Sequence, residues 1–216
     1  MTIAAILAKE IKTDIRNPYS LAASSLFLIS SLFVCYITIK RINAASTWIA
    51  LFWIILLFTS FNAVAKSFMN ESRERMLYFY TIMSPSQFII SKMIYNAFIM
   101  IALSMIAVII YTALFDMDIA DPTLFWYGVL FGSCGLAFVL SMLSTIASKA
   151  GSNLTLLAIL GLPILLPLIL VTTTLTKNAI DGIDWAIQWK YAFVLMGLNV
   201  VCFALSLILF PYLWRE

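Results

Sequence analysis

Six stretches of the sequence are long, apolar and free of charged residues, and this pattern constrains the fold more than any other feature. A membrane-spanning helix needs about 20 apolar residues, because each residue rises 1.5 Å through a hydrocarbon core about 30 Å thick. All 13 Lys/Arg and all 10 Asp/Glu lie between or outside these charge-free stretches. A bilayer does not admit open sheets, so we predict an all-α polytopic membrane protein with six transmembrane helices, forming a single transmembrane domain (residues 1–216). The predicted spans are approximately 18–39, 42–65, 88–115, 122–148, 150–176 and 191–214, and the charge-free part of the third span is 93–115.

The composition agrees with a protein whose solvent is lipid. Hydrophobic residues make up 63% of the chain and charged residues only 11%, whereas soluble domains carry about 25% charged residues. The net charge of +3 is small and dispersed, so no nucleic-acid partner is expected. The three cysteines, Cys35, Cys134 and Cys202, fall in separate apolar stretches without metal or redox spacing, and we interpret them as buried apolar residues.

The distribution of basic residues predicts the orientation in the membrane. With six spans, both termini lie on one side, and that side carries nine of the 13 Lys/Arg while the other carries four. Because basic residues favour the cytoplasmic side, we predict that both termini are cytoplasmic. The connection Asp116–Asp121, which carries three acidic residues and no basic one, lies on the opposite side in this arrangement.

Residues 1–16 are predicted to form an N-terminal interfacial helix. Apolar residues such as Ile6 and Leu7 recur at roughly helical spacing, and the basic residues Lys9, Lys12 and Arg16 stand between them. A helix of this kind can lie in the plane of the membrane interface with its basic face toward lipid headgroups. Membrane lipid is therefore an expected partner of this segment.

The longest connection on the predicted cytoplasmic side, residues 66–87, will be called the connector. It is amphipathic, and its end reads Ser84-Pro85-Ser86-Gln87, a helix start with serine as N-cap, proline at the first helical position and glutamine three residues after the cap. The connector is either an ordinary interfacial connection or a coupling element that docks on a cytoplasmic partner. We favour coupling, because only this cytoplasmic connection is long enough to form a lever. The predicted docking residues are Glu71, Arg73, Glu74, Arg75, Met76 and Leu77, with Ser84 and Pro85 setting the turn.

The fifth apolar stretch contains helix-breaking residues. Gly161 is followed by Pro163 and Pro167, and two prolines four residues apart remove two backbone donors and kink or break a helix. We expect a discontinuous or re-entrant segment there, with a simple kink as the alternative. In the fourth stretch, Gly128 and Gly132 form a GxxxG motif, which allows close helix packing either within the chain or between molecules.

Several kinds of chemistry are absent from the sequence. There is no P-loop motif and no histidine, and the charge-free stretches contain no acid or base. The largest polar groups within the spans, Asn62, Asn96, Asn153 and Asn199, are interpreted as interhelical hydrogen-bonding groups. We therefore predict no catalytic, cofactor-binding or metal-binding residues on this chain. A helical body of this kind moves a substrate only if a partner supplies energy, and an ATPase docked on the connector would do so.

The connector resembles that of the ABC-2 permeases. The resemblance rests on Glu71-Ser-Arg-Glu-Arg-Met-Leu77, then Met83-Ser-Pro-Ser-Gln87, then Ile89-Ile-Ser-Lys92. Met76 and Tyr78 depart from the usual residues of the family. Gly161-Leu-Pro-Ile-Leu-Leu-Pro167 is similar to a feature of one branch, the B subunit family of the heme exporter in cytochrome c maturation. The short length and the six-span layout also fit that branch.

The resemblance implies an ABC-2 permease fold of the type V exporter kind, in the bacterial inner membrane. It implies a separate ABC ATPase subunit that binds ATP, and a second membrane subunit, either a heme-handling protein or a second copy of this chain. Heme would be cargo on a partner, with release of heme or of a heme chaperone driven by ATP. Two alternatives remain open at this point: an ABC-2 permease for a lipid, glycan or drug, and a non-transporting membrane assembly scaffold.

Overall fold

A computed structural model of the protein describes residues 3–16, 18–39, 42, 44–65, 84–149 and 154–215. These residues form seven α-helices, and six of them are long and apolar enough to cross a membrane, which confirms the predicted fold class. The helices are α1 (Ile3–Arg16), α2 (Tyr19–Ile39), α3 (Ala45–Ser60, extended by a π-helical turn Phe61–Ala65), α4 (Pro85–Leu114), α5 (Pro122–Lys149), α6 (Leu154–Asp181) and α7 (Trp185–Arg215).

The longest spans extend beyond the hydrocarbon core. Helix α4 has 30 residues, which correspond to about 45 Å at 1.5 Å per residue, whereas the core of a bilayer is about 30 Å thick. Helix α4 is therefore longer than the core is thick, and it begins where the connector ends. We call the end of the bundle that carries α1, the start of α4 and the last turns of α7 the connector end.

Helix α5 is the centre of the bundle, and three glycines let its neighbours approach closely. It contacts α3, α4, α6 and α7. A Cβ atom added at Gly128 or Gly132 would overlap Thr176 or Trp53 respectively, and one at Gly135 would overlap Leu168 of α6. The small residues therefore serve packing within the chain, the first of the two interpretations of the GxxxG motif.

An aromatic cluster joins α3, α4 and α5 at the opposite end of the bundle. The rings of Trp48, Phe52, Tyr111 and Phe125 are buried and lie within about 4.5 to 6.4 Å of one another, centroid to centroid. The hydroxyl of Tyr111 donates to the Trp48 carbonyl at 2.9 Å. Because the polar atoms of buried aromatic residues need partners, this bond also fixes the register of α4 against α3.

The expected break in the fifth span is wrong. Helix α6 runs continuously from Leu154 to Asp181 with Pro163 and Pro167 inside it, so this segment is neither discontinuous nor re-entrant. Both proline side chains are exposed on the outer surface of the bundle, where the rings do not displace neighbouring helices. Gly161 lies on the inner face of α6, and a Cβ atom added there would lie 3.3 Å from Leu143 of α5.

Candidate functional site: the helix ends around the connector

The second span ends in altered helical geometry where the connector begins. Residues Phe61–Ala65 form one π-helical turn after the α-helix Ala45–Ser60. Asn62 lies in this turn and its Nδ2 donates to the Phe58 carbonyl at 3.3 Å, so among the described residues Asn62 bonds its own helix. Single π-helical turns are rare and occur frequently at functional sites, which draws attention to this end of α3.

The connector ends in the helix start that its sequence predicts. Pro85 is the first residue of α4, and Ser84 is the N-cap with extended backbone dihedrals. The Gln87 backbone N–H donates to Ser84 Oγ at 3.4 Å, and the Ser84 N–H donates to Gln87 Oε1 at 3.5 Å. This reciprocal capping box satisfies two backbone donors that a helix start otherwise leaves unpaired. These two hydrogen bonds therefore fix the direction in which the chain enters α4.

The other predicted docking residues lie outside the described residues. They are Glu71, Arg73, Glu74, Arg75, Met76 and Leu77, within the part of the connector at residues 66–83. Their docking role stays a prediction. For Ser84 and Pro85 the structure shows how they start α4, and their part in docking also stays a prediction.

Helix α1 packs against the start of α4 and the last turns of α7. Ile6 of α1 belongs to a small buried cluster with Phe88, Ile89 and Met93 of α4 and Phe210 of α7, which is separate from the main core of the bundle. The rings of Phe88 and Phe210 are stacked with their centroids 5.7 Å apart. The predicted N-terminal helix is thus present. One of its faces packs against the rest of the protein, in addition to the contact with lipid that its sequence predicts.

An ion pair joins the same two helices beside this cluster. Lys92 of α4 is only 2% exposed, and its Nζ donates to Glu10 Oε2 of α1 at 3.1 Å. Lys9 Nζ lies 3.9 Å from the other Glu10 oxygen. Asp14 lies one turn further along α1. Burial and the nearby Glu10 carboxylate raise its pKa above the ordinary value, against the attraction of Lys92.

The sequence places Lys92 just before the charge-free part of the third span and does not reveal its partner. The available signal was the helix start at Pro85, since a helix that begins there carries Lys92 into its third turn and into contact with neighbouring helices. Glu10 gave a weaker signal, as the single acidic residue among the basic ones in the first 13 residues of the chain. The contact spans 82 positions of sequence, and no local pattern encodes it.

Two asparagines within the bundle connect helices. Asn96 Nδ2 of α4 donates to Ser141 Oγ of α5 at 2.8 Å, and Asn199 Nδ2 of α7 donates to the Phe131 carbonyl at 3.1 Å. These two bonds confirm the interhelical interpretation for Asn96 and Asn199, whereas Asn153 lies outside the described residues. The described part of the chain brings together no cluster of three potential metal ligands. Its three cysteines are free thiols.

Six apolar spans that pack around α5 define a polytopic helical membrane protein. The chain belongs to the CcmB protein family, whose family model matches residues 1–212. This is the heme exporter B subunit family, as the resemblance of the connector indicated, so the chain is an integral inner-membrane permease subunit for cytochrome c maturation. The family is a non-catalytic component of an ABC complex. A comparison with curated proteins gives no match.

Proposed function

We propose that this chain is the membrane half of an ATP-driven heme exporter and that a separate ATPase subunit docks on its connector. The observation that carries the proposal is the family match over residues 1–212. The geometry of α4 supports it, because this helix starts at the end of the connector and continues unbroken to Leu114. ATP hydrolysis on the partner would drive release of heme or of a heme chaperone.

A continuous capped helix is well suited to transmit movement from the connector. Displacing the first turn of α4 displaces the whole helix, since the capping box at Ser84 and Gln87 prevents the start from fraying. Helix α4 also contacts α5, the central helix of the bundle. Movement at the connector would therefore reach the centre of the bundle through a single element.

The orientation follows from where ATP is available. An ATPase that docks on residues 66–87 works in the cytoplasm, which requires the connector end and both termini to face the cytoplasm. The excess of Lys/Arg on that side, nine against four, supports the same orientation. A second membrane subunit, either a heme-handling protein or another copy of this chain, would complete the path. Heme would be cargo on a partner, and the absence of histidine argues against this chain holding heme by histidine ligation.

The docking role is tested by removing two charges from the connector. Glu74→Ala combined with Arg75→Ala should reduce the ATPase subunit that co-purifies with this chain by about tenfold or more, the loss typical of two central interface residues. The variant should still insert into the membrane at the normal level. The matched control is Asp116→Ala with Asp118→Ala, a double charge removal at the opposite end, and it should retain the ATPase. Unchanged ATPase retention in the connector variant would contradict the docking role.

A further inference from the structure

The ion pair between Glu10 and Lys92 is buried at the end of the molecule that faces the connector. Its atoms lie 3.1 Å apart, and Lys92 is 2% exposed. It joins α1 to α4 at the third turn of α4, about 10 Å along the helix from the capped start at Pro85, given 1.5 Å per residue. The two helices are therefore fastened together close to the point at which the connector attaches.

The apolar cluster around Ile6 already holds these helices against each other. Ile6, Phe88, Ile89, Met93 and Phe210 are all buried, and a pair of apolar side chains at positions 10 and 92 would extend that cluster without cost. A buried ion pair gives up two hydration shells, so replacing it with well-packed apolar residues is often neutral or stabilising. What the charges add is a defined register and orientation, because a 3.1 Å contact between charged atoms is lost when the helices slide or rotate.

The surrounding charges favour the natural polarity of the pair. Lys9 lies beside Glu10, and Lys92 attracts Asp14, which follows one turn later on α1. In a reversed pair, the lysine at position 10 would face Lys9 and the glutamate at position 92 would face Asp14. The reversed pair can still form the contact between the two helices, so it is expected to recover part of what a single variant loses.

We propose that Glu10 and Lys92 are positioning residues that lock α1 to the start of α4, so that α1 and the third span move as one unit when the ATPase acts. This inference rests on the proposed function for its source of movement. Without the lock, α1 still packs through Ile6 but rotates or slides against α4. Movement delivered at the connector end is then lost at this contact before it reaches the bundle.

The first test measures the lock in the chain alone, reconstituted in lipid nanodiscs. Amide hydrogen exchange of α1 should become about 100-fold faster in Lys92→Met and in Glu10→Gln, because each change removes the contact that joins α1 to α4. The double variant Glu10→Lys with Lys92→Glu should exchange more slowly than either single variant. Lys177→Met is the matched control, since it breaks the exposed 4.0 Å pair with Asp181 at the opposite end, and it should leave α1 unchanged. Unchanged exchange in both single variants would overturn the inference.

The second test measures coupling in the complete complex. The single variants should retain the ATPase subunit within about twofold and hydrolyse ATP, while the yield of heme-bearing cytochrome c falls by about tenfold or more. The reversed pair should recover part of that yield. Normal yield in variants whose α1 exchanges fast would overturn the inference while leaving the proposed function intact. A wild-type chain that retains no ATPase would instead reject the proposed function, and with it the coupling role of the pair.

Discussion

The packing of α5 makes a quantitative prediction about one methyl group. Gly132 faces Trp53 of α3 and Thr172 of α6, and a Cβ atom at position 132 would lie 2.8 Å from Thr172 Cγ2 and nearer still to the Trp53 ring. Non-bonded carbons prefer 3.5–4.0 Å, so the overlap with Thr172 alone is about 0.7 Å. Inserting a methyl group into a packed core costs about 1–3 kcal/mol. Gly132→Ala should therefore destabilise the bundle.

Gly197 supplies the matched control, because no other part of the described structure beyond its own helix backbone lies within 4 Å of a Cβ atom added there. Gly197→Ala adds the same methyl group to another membrane-spanning helix, so any effect of glycine removal itself is common to both variants. In thermal unfolding in lipid–detergent micelles, Gly132→Ala should melt about 2 to 10 °C below Gly197→Ala. Equal melting temperatures, or a more stable Gly132→Ala, would refute the close packing of α5 against α3 and α6.

Two further predictions concern the connector end. Ser84→Ala removes the N-cap of α4 and should cost about 1 kcal/mol of stability in the same unfolding assay. The control Ser86→Ala should cost little, because Ser86 is exposed and is not the cap. Equal effects of the two variants would contradict the capping role. Asp14→Asn should raise the melting temperature at pH 7 to 8, because burial and Glu10 raise the pKa of Asp14 and so disfavour its charged form in the folded chain. The gain should shrink as the pH falls through the raised pKa of Asp14 and disappear below 3.8, where the aspartic acid is neutral in the folded and the unfolded chain. A destabilised Asp14→Asn at neutral pH would contradict this explanation.

Local patterns predicted much of this architecture. The six spans follow from runs of apolar residues that are long enough for a bilayer, and the start of α4 follows from the short Ser84-Pro85-Ser86-Gln87 signal. Both are properties of consecutive residues. The glycine stripe likewise predicted close packing, although only the structure identifies Trp53 and Thr172 as the groups it accommodates.

The features that sequence reasoning missed depend on contacts between distant segments. Proline is a helix breaker in an isolated segment, but Pro163 and Pro167 lie on the outer face of α6, where their rings are tolerated and the helix continues. Glu10 and Lys92 are 82 positions apart, and their pairing depends on how α1 folds back onto α4. From hydropathy alone, Lys92 marks the edge of an apolar stretch. In the folded chain, the packing of α1 against α4 buries it.

The central claim is that this chain is a permease subunit that works with a separate ATPase. The most direct test is affinity purification from native membranes in several mild detergents, with mass spectrometry of every retained protein. The account predicts an ABC ATPase together with a multi-span heme-handling protein. An ATPase with a second copy of this chain but no heme protein would keep the permease and point to another cargo, such as a lipid, glycan or drug. Retention of no ATPase in any detergent would contradict the account and favour a non-transporting assembly scaffold.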